Sequence, residues 1–322
     1  MPVTPESHSA RYFALLYSPV PQRLALDALF GIEREISESL RPGLDHHVAH
    51  SRLQWWREEC ERAAAGRPVH PLTRALVDAV TAVSSSTSPP TSPAASKRHR
   101  KHPSVELRSG PPSMAGVQPF GLHPLSQLGG LCGLVDVAVW DLAGATFETR
   151  RELTAYCERW SAAMIEPFAP RNAAHTPAMP DTRIGNWSTL GAAMREIEML
   201  SHLAREAHYG RLRVPLDELE NAKADPGVLA KPPWPAAVVE LLRSRHDSLR
   251  DEITRALSDV DRVQQPGLRG LLVWAALARR SSQRTEDALP DRLRLGRFDE
   301  VADAWLAWRV ARRATIGRFR LN

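Results

Sequence analysis

Cysteine is scarce in this chain. Only Cys60, Cys132 and Cys157 occur in 322 residues, far apart and with no C-x-x-C pair. That pattern excludes a disulfide framework and a zinc knuckle, so reduced thiols are expected. Long apolar runs are missing as well, since no segment reaches the roughly 18 uninterrupted apolar residues of a membrane span. Met1 to Arg11 lacks a basic start followed by an apolar stretch, which argues against a secretory leader. Strand-like alternation is rare. The expected setting is cytoplasmic, with at most peripheral membrane contact.

What is present is the mix of a globular protein, 43% hydrophobic and 25% charged, enough for a sizeable core. The net charge is +5, but it is unevenly spread. Between Val83 and Leu125 stand Lys97, Arg98, Arg100, Lys101 and Arg108 against Glu106 alone, so this stretch carries +4 and the remainder only +1. A basic folded surface is therefore not implied.

Helical spacing dominates. Leu24, Leu26, Leu29, Phe30, Ile32 and Ile36 form one stripe over Arg23 to Leu40, with Pro21 before it and Gly43 after it. Further helices are predicted over Asp45–Ala65, His70–Ala82, Leu134–Ala143, Arg150–Ile165, Trp187–His208, Pro235–Ser258, Gly267–Ser281 and Asp299–Ala314. Ser84 to Pro124 breaks the pattern. Rich in Ser, Pro and Gly, it has too little apolar content to offset the entropy of ordering. It reads as a disordered insert (84–124) within one domain made of 1–83 and 125–322. Its run Lys97-Arg98-His99-Arg100-Lys101-His102 lacks interleaved aromatics, so no nucleic-acid partner is expected.

Three stretches carry a family likeness. The first holds Tyr12-Phe13, Pro21, Arg23, Ala28-Leu29-Phe30 and Arg34, and continues through Trp56-Arg57-Glu58, Gly66 and His70-Pro71. The second holds Asp141-Leu142, Phe147, Thr149, Glu152-Leu153 and Tyr156-Cys157. The third runs from Gly191 through Gly210-Arg211 to Pro215. Together they resemble the squalene and phytoene synthase family, which joins two prenyl diphosphates head to head. The resemblance implies an all-α, isoprenoid synthase-type helical bundle.

It also implies a site, and here the chain departs from the pattern. The family's D-D-x-x-D falls on Ser37-Glu38-Ser39-Leu40-Arg41, and its D-x-x-x-D places His202 and Glu206 where aspartates stand. The family's small-residue opening, V-A-G-x-V-G, falls on Trp160 to Ile165. Magnesium prefers hard oxygen donors on both sides of the diphosphate. One surviving carboxylate at Glu38 and a cation at Arg41 argue against that clamp, so no metal or other cofactor is expected. Glu198, His202 and Glu206, spaced by four, suggest either a new polar site on one helix face or a self-paired lining. Arg23, Arg34, Arg195, Arg211 and Arg213 are the candidates for phosphate binding. Their alternative is ion pairing, Arg195, Arg205, Arg211 and Arg213 with Glu196, Glu198 and Glu206, and Arg23 and Arg34 with Glu33, Glu35 or Glu58. Asp141 reads as structural, bonded to a neighbouring helix end. Trp55, Trp56 and Trp140 are expected in or beside the core.

The expected function is a non-catalytic binding or assembly-type role in this family, with a protein partner, a prenyl lipid or a prenyl diphosphate as possible occupants. The alternative is an active prenyltransferase with altered ligands, and only that alternative calls for Mg2+.

Overall fold

The computed structural model describes residues 9–41, 43–85, 125–169, 184–291 and 297–321. Among them the chain forms twelve α-helices and no strand. The first four are α1 (Ala10–Tyr17), α2 (Val20–Ser37), α3 (His46–Ala64) and α4 (Pro71–Ser85). Next come α5 (Cys132–Leu142), α6 (Arg150–Met164), α7 (Ile184–Ser201) and α8 (Leu203–His208). The last four are α9 (Leu216–Asn221), α10 (Ala236–Ser258), α11 (Gln265–Asp287) and α12 (Arg297–Thr315). The all-α expectation holds. The insert expected at 84–124 lies outside the described residues, except that α4 continues through Ser85.

Local chemistry sets several boundaries. Ser9 accepts a hydrogen bond from the Tyr12 amide at 3.1 Å and caps α1, a helix the periodicity did not predict. Asp45 caps α3 through the His47 amide at 2.8 Å. The Glu152 carboxylate reaches back to the Glu148 amide at 2.7 Å and steadies the start of α6. Glu59 is fully buried and joins α3 to α4 by accepting from the Val69 and His70 amides, each at 2.8 Å, and from the Thr73 hydroxyl. These donors, with Arg62, hold its pKa below the usual carboxylate range although burial opposes this.

Two expected helices are corrected. The Arg23–Leu40 prediction ends too late, because α2 stops at Ser37 and Glu38–Leu40 tightens into a 3-10 turn. The Trp187–His208 prediction is one helix too few. At His202 the backbone leaves helical geometry, with φ −115° and ψ 14°. Just before it, the Ser201 hydroxyl bonds back to the Ile197 carbonyl at 2.8 Å, a pattern that bends helices.

α7 lies at the centre, packed on α6, α10 and α11, while α2 packs on α4 and α11 on α1 and α12. The α6–α7 contact is close. A Cβ at Gly191 would sit 2.0 Å from Ser161 Oγ and 2.8 Å from Ile165 Cγ1, so only glycine permits this approach. No described helix is long and apolar enough to cross a membrane.

Candidate functional site

The polar interior begins on α2. Leu26, Leu29, Phe30 and Ile36 face the core, and Glu33 sits in the same stripe, nearly buried. A carboxylate there needs partners. The Trp160 indole N–H donates to Glu33 at 2.7 Å, and Arg11 of α1 pairs with the same carboxylate. Arg11 also reaches Glu198 of α7 at 3.0 Å, and Arg195 donates to Glu198 at 2.9 Å. Both guanidinium groups lie against the Trp160 ring, Arg11 at 5.9 Å and Arg195 at 5.5 Å from its centroid.

The network continues across α6. The Arg195 charge acts on the Tyr156 hydroxyl and favours its ionised form, against burial. That hydroxyl donates to Asp141 at 3.0 Å, and Arg213 donates to the other Asp141 oxygen at 2.7 Å. Arg213 extends to Glu206 at 3.2 Å, and Arg211 reaches the same carboxylate oxygen at 3.3 Å. Inside the bundle four cations (Arg11, Arg195, Arg211, Arg213) therefore meet four carboxylates (Glu33, Glu198, Asp141, Glu206), and the exposed Arg205 adds a longer 3.8 Å contact to Glu206 from the surface.

Electrostatics follows the geometry. Burial opposes ionisation of Glu198, yet Arg11 and Arg195 hold its pKa down to about 2. Burial, reinforced by Asp141, pushes Tyr156 up to about 12, so its hydroxyl keeps its proton. The Glu198 side chain is 38% exposed and that of Arg211 is 26% exposed, so the network meets solvent at both ends.

Trp160 is 1% exposed, while Ser161 and Ile165 are fully buried. Trp160 also meets Trp274 edge-on at 5.9 Å. Where the family resemblance implies an opening lined by small residues, this chain has an indole clasped by two arginines and two helices in contact.

The expected site residues separate into groups. Ser37 and Arg41 are exposed, and Glu38 pairs only with Arg34 at 3.8 Å on the surface. Arg34 therefore binds neither Glu33 nor Glu35. Among the described residues Arg23 likewise makes no ion pair. It donates to the Leu16 and Ser18 carbonyls at 3.0 and 3.2 Å, satisfying the end of α1. His202 is exposed at the break, so Glu198, His202 and Glu206 do not share one continuous helix face. The two carboxylates are instead drawn to different cations. Glu196, expected to pair along its own helix, bonds Arg150 at 2.5 Å and Arg245 at 2.7 Å across the bundle. Asp141 bonds side chains of α6 and of the loop after α8, not a helix terminus. Trp56 is buried, Trp140 stacks on Phe147 at 5.5 Å, and Trp55 is 40% exposed. Arg11 is not among the residues that the sequence singles out, and Glu33 stands there only as a possible salt-bridge partner of Arg23 or Arg34. A carboxylate in α2's apolar stripe is the signal of an interior site.

The donor set does not suit magnesium. Glu38 is tied to Arg34 at the surface, Glu206 is shared by three guanidinium groups, those of Arg205, Arg211 and Arg213, and Arg41 carries the wrong sign. Among the described residues, no group of three or more His, Cys, Asp or Glu side chains is arranged to hold a metal ion.

Comparison with known proteins gives one family and one fold. The squalene/phytoene synthase family model matches residues 108–299, more than half of the chain. A squalene synthase, HpnC, from Alicyclobacillus acidocaldarius is similar in structure with a TM-score of 0.56 and 17% identity, over 84% of this chain and 85% of that one. A dehydrosqualene synthase solved in complex with a ligand aligns with a TM-score of 0.65 and 14% identity, over 94% of this chain and 90% of the other. At such identities these two likenesses speak for the fold alone. No curated protein matches by sequence.

Proposed function

Because the chain belongs to the squalene/phytoene synthase family, we propose that it is a member that has given up metal-assisted prenyl transfer and works by binding, with a protein as its partner. One observation carries this reading. The guanidinium groups that could meet a diphosphate inside the bundle are already neutralised by Glu33, Glu198, Asp141 and Glu206. An entering diphosphate would have to displace a hydrogen-bonded carboxylate, and at Glu33 or Asp141, the two most buried, leaving it unpaired costs several kcal/mol (about 3–5 for a broken buried pair).

The packing of Trp160 against α2 and α11 and the close α6–α7 approach at Gly191 argue against a prenyl chain threading past this point. An interior without a lipid leaves the outer surface as the place of action.

The test is a product assay. Purified protein is incubated with farnesyl or geranylgeranyl diphosphate, with and without magnesium, and diphosphate release and hydrocarbon products are measured. No release above the buffer rate is expected. Magnesium-dependent release that disappears when Glu38, His202 and Glu206 are substituted together would replace this reading with that of a prenyltransferase using altered ligands.

A further inference from the structure

Helix α12 has two unlike faces. Ala307, Val310, Ala311 and Ala314 are buried, and the helix packs on α11. The opposite face carries Phe298 (91% exposed), Val301, Trp305, Trp308 and, just past the helix end, Ile316, all exposed. Successive steps of three, four, three and eight residues keep these five side chains on one stripe. Single exposed apolar residues are ordinary, but a continuous stripe with two tryptophans and a phenylalanine marks a contact surface.

Charge says what kind of surface it fits. From Ala304 to Leu321 the chain carries Arg309, Arg312, Arg313, Arg318 and Arg320 and no acid. Arg309 lies 4.4 Å from the Trp305 ring centroid and Arg312 5.4 Å from that of Trp308, so cations border the aromatic stripe. Asp303, the nearest acid before this stretch, is turned inward and bound by Arg280 and Arg284, each at 2.9 Å.

We propose that this outward face of α12 docks on the surface of an anionic lipid bilayer. The apolar stripe would lie at the boundary between headgroups and acyl chains, where indoles are favoured, and the arginines would reach lipid phosphates beside it. Charge complementarity selects this occupant over a second copy. Two copies meeting on this face would bring their arginines together, and like charges in juxtaposition are costly. The proposal stands apart from the prenyl-transfer question, since none of these residues belongs to the interior network.

The experiment uses the full chain and sedimentation with two kinds of vesicle, phosphatidylcholine alone and phosphatidylcholine containing one-third phosphatidylglycerol. Binding to the anionic vesicles, reversed by high salt and accompanied by a blue shift of tryptophan emission, is expected. R309E/R312E and, separately, W305S/W308S should each weaken that binding by roughly tenfold or more, with unchanged circular dichroism because Trp305, Trp308 and Arg312 are exposed and Arg309 packs on the outward Trp305 ring, away from the core. Failure of the wild-type chain to bind anionic vesicles, or equal binding by both variants, overturns the proposal. So does a dimer in light scattering that W305S/W308S dissociates, which would assign the face to contact between copies. Binding to an acidic protein but to neither vesicle would assign it to a protein partner and overturn it equally.

Discussion

The two stretches that align with the family's metal motifs lie in different surroundings. At 37–41 the α2 helix ends early, its last turn tightens, and Ser37, Glu38 and Arg41 turn toward water, where Glu38 has only a 3.8 Å contact with Arg34. At 202–206 the helix breaks, but Glu206 stays inside, held by Arg211 and by Arg213, whose side chain is 4% exposed. One half of the pair faces water and the other holds a neutralised carboxylate. The contrast separates two electrostatic settings. A carboxylate in water is screened and weakly held, and a carboxylate inside the bundle is tied to its counterions.

The largest effect should come from the neutralised half. Arg213→Ala leaves Asp141 and Glu206 short of their shared cation, with Asp141 only 8% exposed. A loss of about 3–5 kcal/mol is expected, read as a lower urea midpoint at unchanged slope. A loss below about 1 kcal/mol would show that water or Arg211 takes over, and the distinction between the two halves would fall.

How much of this was legible beforehand differs between fold and site. Apolar stripes such as Leu26-Leu29-Phe30 placed most of the helices, because a 3.6-residue period is written locally. The break at His202 was not, because nothing in the sequence shows that Ser201 bonds back to Ile197 while Arg11 pulls Glu198 toward α1. The replaced motifs were visible as residue types. Their partners were not, since Arg11 and Glu198 are 187 positions apart and Arg213 and Asp141 are 72 apart. The residues most open to inference were those violating a rule, and Glu33 on the buried face of α2 was one.

Acid should expose the same network through Glu198. Its folded-state pKa, held at about 2 against an ordinary 4.5, makes the folded state favour the ionised form. The stabilisation is therefore complete above about pH 4.5 and is lost as pH falls through that value toward 2. Wild type should be more stable than Glu198→Gln at neutral pH, and the two stability curves should converge near pH 2. Parallel curves over this window would mean that Arg11 and Arg195 do not hold the carboxylate in solution. Because the side chain is partly exposed, the separation should also shrink at high salt, unlike the Arg213→Ala effect.

The smallest effect belongs to the exposed half and is the sharpest control. Glu38→Ala removes one long surface contact, and Arg41→Ala removes a side chain that stands in water. Exposed ion pairs of this kind contribute about 0–1 kcal/mol, and Glu38 caps α2 through its backbone N–H, which alanine keeps, so the change should stay within about 0.5 kcal/mol as for other surface substitutions. The double variant should therefore unfold at the wild-type urea midpoint, within the scatter of repeated measurements. A drop comparable to that of Arg213→Ala would show that the 37–41 turn carries an interior contact. It would then have to be counted with the neutralised half, because water can satisfy a side chain it reaches and cannot satisfy one it does not.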